Sequence, residues 1–246
     1  MTFCLGITVR DGLVAIADTL VTAGSECTTA GKIFTYQHEQ QALFIMTSGL
    51  RSVRDKALTY FEELLDEQGS SFDRLFKALN GFAAQVRRVA EEDKAALEES
   101  GLEFNIHALV GGQFERDREH KLYRLYPQAN WVEIGQGTPS QIIGAAGYGK
   151  PVLDRTLKYA DPMSFALKVG CLAFDSTRIS AADVDFPIDV VLCERDSFGL
   201  VEQRYEKQDL AEISNWWQER LRQSVNELRA DWVEPLLSRL PSRGGR

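Results

Sequence analysis

Three residues near the amino terminus have the types and spacing for acyl-transfer chemistry. Thr2 directly follows Met1. Removal of the methionine is favoured when the next side chain is small, and it would leave a hydroxyl and an α-amino group on one residue. Such an amine has a pKa of about 7.7–8.0, so part of it is neutral and basic near neutral pH. It can accept the hydroxyl proton while the oxygen attacks a carbonyl. That pairing needs no histidine, and the chain has only His38, His107 and His120. Asp18 and Lys32 follow at spacings that could serve the same centre. A Met-Thr start carries little weight alone; the elements around it carry more.

Those elements read as short strands. Phe3-Cys4-Leu5-Gly6-Ile7-Thr8-Val9 is a strand, Asp11-Gly12 a hairpin signal, and Leu13 to Ala17 the return strand. The hairpin brings Asp18 back beside Thr2. Lys32 opens a third apolar run, and Ala42 to Thr47 is a fourth, ending at Ser48-Gly49. The near-continuous apolar runs suggest strands covered on both faces.

On these residues the chain resembles the proteasome-type β-subunits, a branch of the N-terminal nucleophile hydrolases. It is most similar to the bacterial proteasome-related subunits known as Anbu and their relatives. The specific motifs lie in the first fifty residues; the coarse layout agrees over nearly the whole chain. The resemblance implies an α+β fold, a four-layer αββα sandwich in one domain spanning 1–246. It implies Thr2 as nucleophile, Lys32 lowering its pKa, Asp18 holding the lysine and the Gly49 N–H in the oxyanion hole. Asp175 and Ser176 match supporting positions, although a polar helix terminus explains them equally well. Val21, Thr22, Ala30, Thr47 and Arg51 would surround the residue before the cut. Arg51 would then favour acidic side chains, or it pairs with Asp55 one helical turn on. Ala145 or Ala146 stands where the family carries a serine, which removes a hydroxyl from the site. A large homo-oligomer, ring or helical, is implied, with a polypeptide substrate, no cofactor and no metal. Any unfoldase would be a separate chain, since no ATPase motif is present.

The rest of the sequence sets bounds. The chain has 246 residues, 44% hydrophobic and 26% charged, ordinary for a globular protein. A net charge of −8 argues against nucleic acid or an anionic membrane as the main partner. Cys4, Cys27, Cys171 and Cys193 form no Cys-x-x-Cys pair, which reads as buried thiols in a cytoplasmic protein. Gly144 to Lys150 superficially resembles a phosphate loop, but Pro151 follows the lysine where Ser or Thr is needed.

Apolar periodicity predicts helices over about 53–65 and 72–89, with Ser71 as an N-cap, then over 151–159 and 162–181. Strands fall between and after these pairs. A long helix at about 209–240 closes the chain, its apolar stripe suited either to its own domain or to a subunit contact. Two other functions fit the same sequence: a structural ring protein with little activity, and an amidase for a small molecule.

Overall fold

Complete burial marks the first hairpin. Every residue of β1 (Phe3–Val9) and β2 (Gly12–Asp18) is inaccessible or nearly so, as the unbroken apolar runs require of strands covered on both faces. The computed structural model describes residues 2–23 and 26–240, with only the backbone described at 22, 23, 26 and 27. Two compact units make up the chain, Met1–Asp209 and Leu210–Arg246.

The first unit is mixed α and β. After β2 come β3 (Leu20–Ala23), β4 (Glu26–Thr29), β5 (Ile33–His38) and β6 (Gln41–Gly49). Helices α1 (Arg51–Gln68) and α2 (Leu75–Glu99) lead to β7 (Ile106–Phe114), β8 (Lys121–Leu125), β9 (Trp131–Glu133) and β10 (Ser140–Gly144). Then follow α3 (Lys150–Thr156), α4 (Met163–Ser180), β11 (Ile188–Glu194) and β12 (Val201–Tyr205). One sheet has the order β10-β1-β2-β11-β12 and another β5-β6-β7-β8-β9, with β3-β4 a separate hairpin. Neighbouring strands within each are antiparallel.

Alternation along the strands sorts the side chains into two cores. Leu43, Ile45, Ala108, Val110, Tyr123 and Leu125 face α1 and α2, where Phe61 and Phe82 meet edge to face. The opposite face of the same sheet, with Phe44, Met46, Leu109 and Leu122, packs on Cys4, Leu13, Ala15 and Ala17 of the first sheet. Helix α4 lies against β1 and β2. Gly170 makes that approach possible, since a methyl there would stand 2.6 Å from Ile16 Cδ1 and 3.4 Å from Ile7 Cδ1.

Several boundaries differ from expectation. The β3-β4 hairpin has no apolar alternation to announce it. Helix α2 begins at Leu75, not after Ser71; Ser71 lies in a 3-10 turn, and the Leu75 N–H donates to Asp117 Oδ2 at 2.9 Å. A side chain 42 positions away therefore does the capping.

In the second unit, α5 (Ala211–Asn226) stops well short of residue 240, and a short α6 (Glu234–Leu237) follows. Pro235 sits in the first turn of α6, where its missing N–H costs nothing, whereas inside a continuous helix it would clash with the preceding turn. The apolar stripe is exposed, including Trp216, Leu221, Val225, Leu228 and Trp232. Among the described residues no helix is long and apolar enough to cross a membrane.

Gly170→Val tests the contact between α4 and the sheet. Overpacking there costs roughly 1–3 kcal/mol, read as a lower urea midpoint with an unchanged slope. An unchanged midpoint would mean that α4 does not press on β1 and β2 as described.

Candidate active site

The hairpin register puts the end of β2 beside the start of β1, with Cys4 opposite Ala17. Asp18 therefore reaches the backbone next to Thr2: the Phe3 N–H donates to Asp18 Oδ1 at 2.8 Å. The same oxygen accepts a hydrogen bond from Lys32 Nζ, also at 2.8 Å. Lys32 Nζ donates in addition to the Leu20 carbonyl at 2.6 Å. Both charges are out of water, with side-chain exposures of 4% for Lys32 and 0% for Asp18. Burial raises the Asp18 pKa, opposed by the Lys32 ammonium and the Phe3 N–H. Asp18 Oδ2 is buried without a hydrogen-bond partner among the described residues.

Thr2 is held through its backbone. Its carbonyl accepts the Ala145 N–H at 2.7 Å, just past the pairing of Phe3 with Gly144. Gly144 has φ +88°, and a side chain there would collide with the Thr2 carbonyl. Only glycine permits both the left-handed backbone and that approach. Of the two alanines considered, Ala145 makes the contact with Thr2, and it does so through the main chain.

Gly49 ends β6 with φ +128°, and a methyl there would meet the Asn105 carbonyl. The next N–H, of Leu50, donates to that same carbonyl at 2.8 Å. The turn is thus built against the start of β7 and needs glycine. Thr47, two residues earlier, is buried with its Oγ1 unpartnered among the described residues, and its N–H donates to the Lys32 carbonyl at 3.3 Å. Its own carbonyl accepts the Cys4 thiol at 3.6 Å. Burial, reinforced by the Asp18 charge, pushes the Cys4 pKa far up, so this thiol stays protonated and poorly nucleophilic.

The remaining expected residues lie as follows. Val21 is on β3, opposite Thr28. Thr22 is on the same strand, and its side chain lies outside the described residues. The Ala30 N–H donates to the Thr19 carbonyl at 2.8 Å. Arg51 does not enter a pocket: its side chain is 58% exposed and pairs with exposed Asp55 at 3.2 Å. Of its two readings, the one-turn ion pair is observed. Arg54 is the better shielded neighbour, reaching the Gly31 carbonyl at 3.3 Å. Asp175 is buried on α4 and pairs with Arg178 at 2.7 Å, while Phe174 packs on the Phe3 ring. The Ser176 hydroxyl donates to the Leu172 carbonyl at 2.9 Å within its own helix. Met1 lies outside the described residues. No group of three or more His, Cys, Asp or Glu among the described residues could hold a metal ion.

The sequence alone did not point to Leu20, nor to the hydrogen bond from the Ala145 N–H to Thr2. Both act through main-chain atoms, whose roles no side-chain pattern signals.

Solved structures similar to this one include those of Anbu. A Gly-1 mutant of Anbu from Hyphomicrobium sp. strain MC1 is 28% identical, with a TM-score of 0.85, over 92% of this chain and 99% of that one. Anbu from Yersinia bercovieri, described as an ancestral beta-subunit, is 25% identical with a TM-score of 0.86, over 92% and 98%. The helical assembly of the Anbu complex from Pseudomonas aeruginosa is 27% identical with a TM-score of 0.86, over 92% and 97%. No protein-family model matches the chain, and no curated protein does. The resemblance drawn from Thr2, Asp18, Lys32 and Gly49 to the bacterial proteasome β-subunits is thus matched in three dimensions over most of the chain.

The buried pair predicts strong coupling. Asp18→Asn leaves an ammonium without its counter-charge and costs about 3–5 kcal/mol. Adding Lys32→Met removes the uncompensated charge, so the double variant should recover at least about 1 kcal/mol relative to the sum of the single ones. Chemical denaturation of the four proteins reads this directly, and strict additivity would contradict the pairing.

Proposed function

We propose that the chain is a threonine-type hydrolase of peptide bonds, with Thr2 as nucleophile once Met1 is removed. One observation carries the reading: the buried Asp18–Lys32 pair is hydrogen-bonded to the residue beside Thr2. Burying two charges is costly, and a chemical use for the ammonium gives that cost a reason. The likeness to Anbu supports the same reading, as does the packing of helices on both outer faces of two stacked sheets. From that packing we infer the four-layer αββα sandwich of the N-terminal nucleophile hydrolases.

In this mechanism Thr2 Oγ attacks the substrate carbonyl carbon while the Thr2 amine takes the hydroxyl proton. Among the described residues two of the three Lys32 hydrogens are engaged. The third favours the alkoxide as it forms. Asp18 keeps the lysine charged and aimed. The Gly49 N–H receives the developing oxyanion, an effect worth roughly 3–4 kcal/mol in a comparable site. The tetrahedral intermediate collapses, the amine returns the proton to the leaving nitrogen, and Thr2 is left as an ester. Water, deprotonated by the same amine, then releases the acid. Asp175, anchored by Arg178, acts as a support; Ser176 does so only if it leaves its helical bond. Val21, Thr22, Ala30 and Thr47 form the pocket for the residue before the cut, without Arg51.

The helical assembly described for the Pseudomonas protein supports a homo-oligomer here, and the exposed tryptophans and leucines of the second unit offer apolar surface for it. A second reading is a ring protein of low activity. Its particular motive is that Ala145 or Ala146 stands where the resemblance implies a serine hydroxyl.

Intact-protein mass separates the two. Loss of Met1 and gain of one threonine-directed β-lactone or epoxyketone, abolished by Thr2→Ala, is the expected result. A free Thr2 that never labels would remove the hydrolase and leave the scaffold.

A further inference from the structure

Two cationic or basic side chains on the inner face of the second sheet make no ion pair among the described residues. Register places Ser48 opposite His107 and Met46 opposite Leu109, and Leu109 in turn opposite Arg124. Met46 and Leu109 face the first sheet. By strand alternation His107 and Arg124 share that inner face. Arg124 Nε and His107 Nδ1 are buried with no hydrogen-bond partner among the described residues. Among the described residues Arg124 makes no ion pair. Its guanidinium lies over the Tyr126 ring at 4.7 Å, and His107 meets the same ring edge-on at 6.5 Å. Burial lowers the His107 pKa, and the nearby Arg124 charge lowers it further.

The place of these groups follows from β1. A methyl on Gly6 would stand 3.0 Å from Leu122 Cδ1 and 3.5 Å from Leu109 Cδ1, so β1 crosses this face. Thr8 lies by His120 and Leu122, and Cys4 reaches the Thr47 carbonyl. Running back from Thr8 to Thr2 thus leads towards the end of the sheet that carries Ser48, His107 and Arg124. Thr47 points to the other face of β6. The pocket for the residue before the cut and the His107–Arg124 pair therefore lie on opposite sides of the Ser48–Gly49 step.

We propose that Arg124, with His107 beside it, is a carboxylate subsite for the part of the substrate after the cut. This rests on the hydrolase reading for its orientation. Arg124 offers the planar donor fork that matches a carboxylate, and the Tyr126 ring lies beside it. A half-buried guanidinium without a counter-ion carries a desolvation cost that an incoming carboxylate offsets. That carboxylate is either an acidic side chain or the free carboxyl end of a short peptide.

The test uses the whole chain with Thr2→Ala, so that binding is read without turnover. Fluorescent peptides are compared in three forms: a free carboxyl end, an amidated end, and an amidated end with glutamate exchanged for glutamine. Binding about tenfold tighter for a carboxylate form is expected, the size of one charge-assisted hydrogen bond. Arg124→Met should erase that preference while leaving the fully amidated glutamine peptide unchanged, and Arg124→Lys should keep part of it. Whichever carboxylate form gains identifies the source. Equal binding of all three peptides to the Arg124 protein overturns the subsite even if the variants fail to fold. Labelling of the Thr2 protein by the β-lactone is read in parallel. Discrimination without labelling would retain the subsite and end the hydrolase reading; labelling without discrimination would do the reverse.

Discussion

The structure around Thr2 depends on a buried ion pair. Asp18 Oδ1 accepts both the Phe3 N–H and the Lys32 ammonium at 2.8 Å, and both side chains are buried. Removing either partner would strand a charge in a medium of low polarity. The pair therefore ties three separate pieces of chain together: the start of β1, the end of β2 and the residue that opens β5. It also links the two sheets through groups that hydrophobic contact alone would not orient.

Around this pair the main chain does much of the positioning. The Ala145 N–H holds the Thr2 carbonyl, and two glycines with positive φ let backbones approach where any side chain would collide. A site built this way tolerates changes of side chain at Ala145 more readily than at Gly144. Alanine at 145 presents no polar side chain, yet its N–H keeps the contact that places Thr2.

Burial also separates groups that react from groups that do not. Cys4 is a soft nucleophile two residues from Thr2, yet its desolvated thiol is held protonated and its hydrogen is engaged by the Thr47 carbonyl. Arg51, by contrast, sits in water and is neutralised by Asp55. Arg124, on the inner wall between the sheets, makes no ion pair among the described residues and rests on the Tyr126 ring. Charge available to a substrate is decided by which neighbours a side chain lacks, and neighbours come from strand register.

Local pattern in the sequence determined a good deal. Continuous apolar runs marked β1, β2 and β6, three-four periodicity marked α1, α2 and α4, and Asp11-Gly12 placed the hairpin that returns Asp18 to Thr2. These are short-range consequences of side-chain period and turn chemistry. Other features belong to tertiary structure alone. Asp117 caps α2 from 42 residues away, Ala145 holds Thr2 from the far side of the chain, and Pro235 divides what periodicity read as one helix. The Leu20 carbonyl that accepts from Lys32 and the Tyr126 ring beside Arg124 were equally invisible. Period tells which way a side chain points from its own element. What stands opposite depends on how elements distant in sequence pair and stack, and only folding brings those groups together.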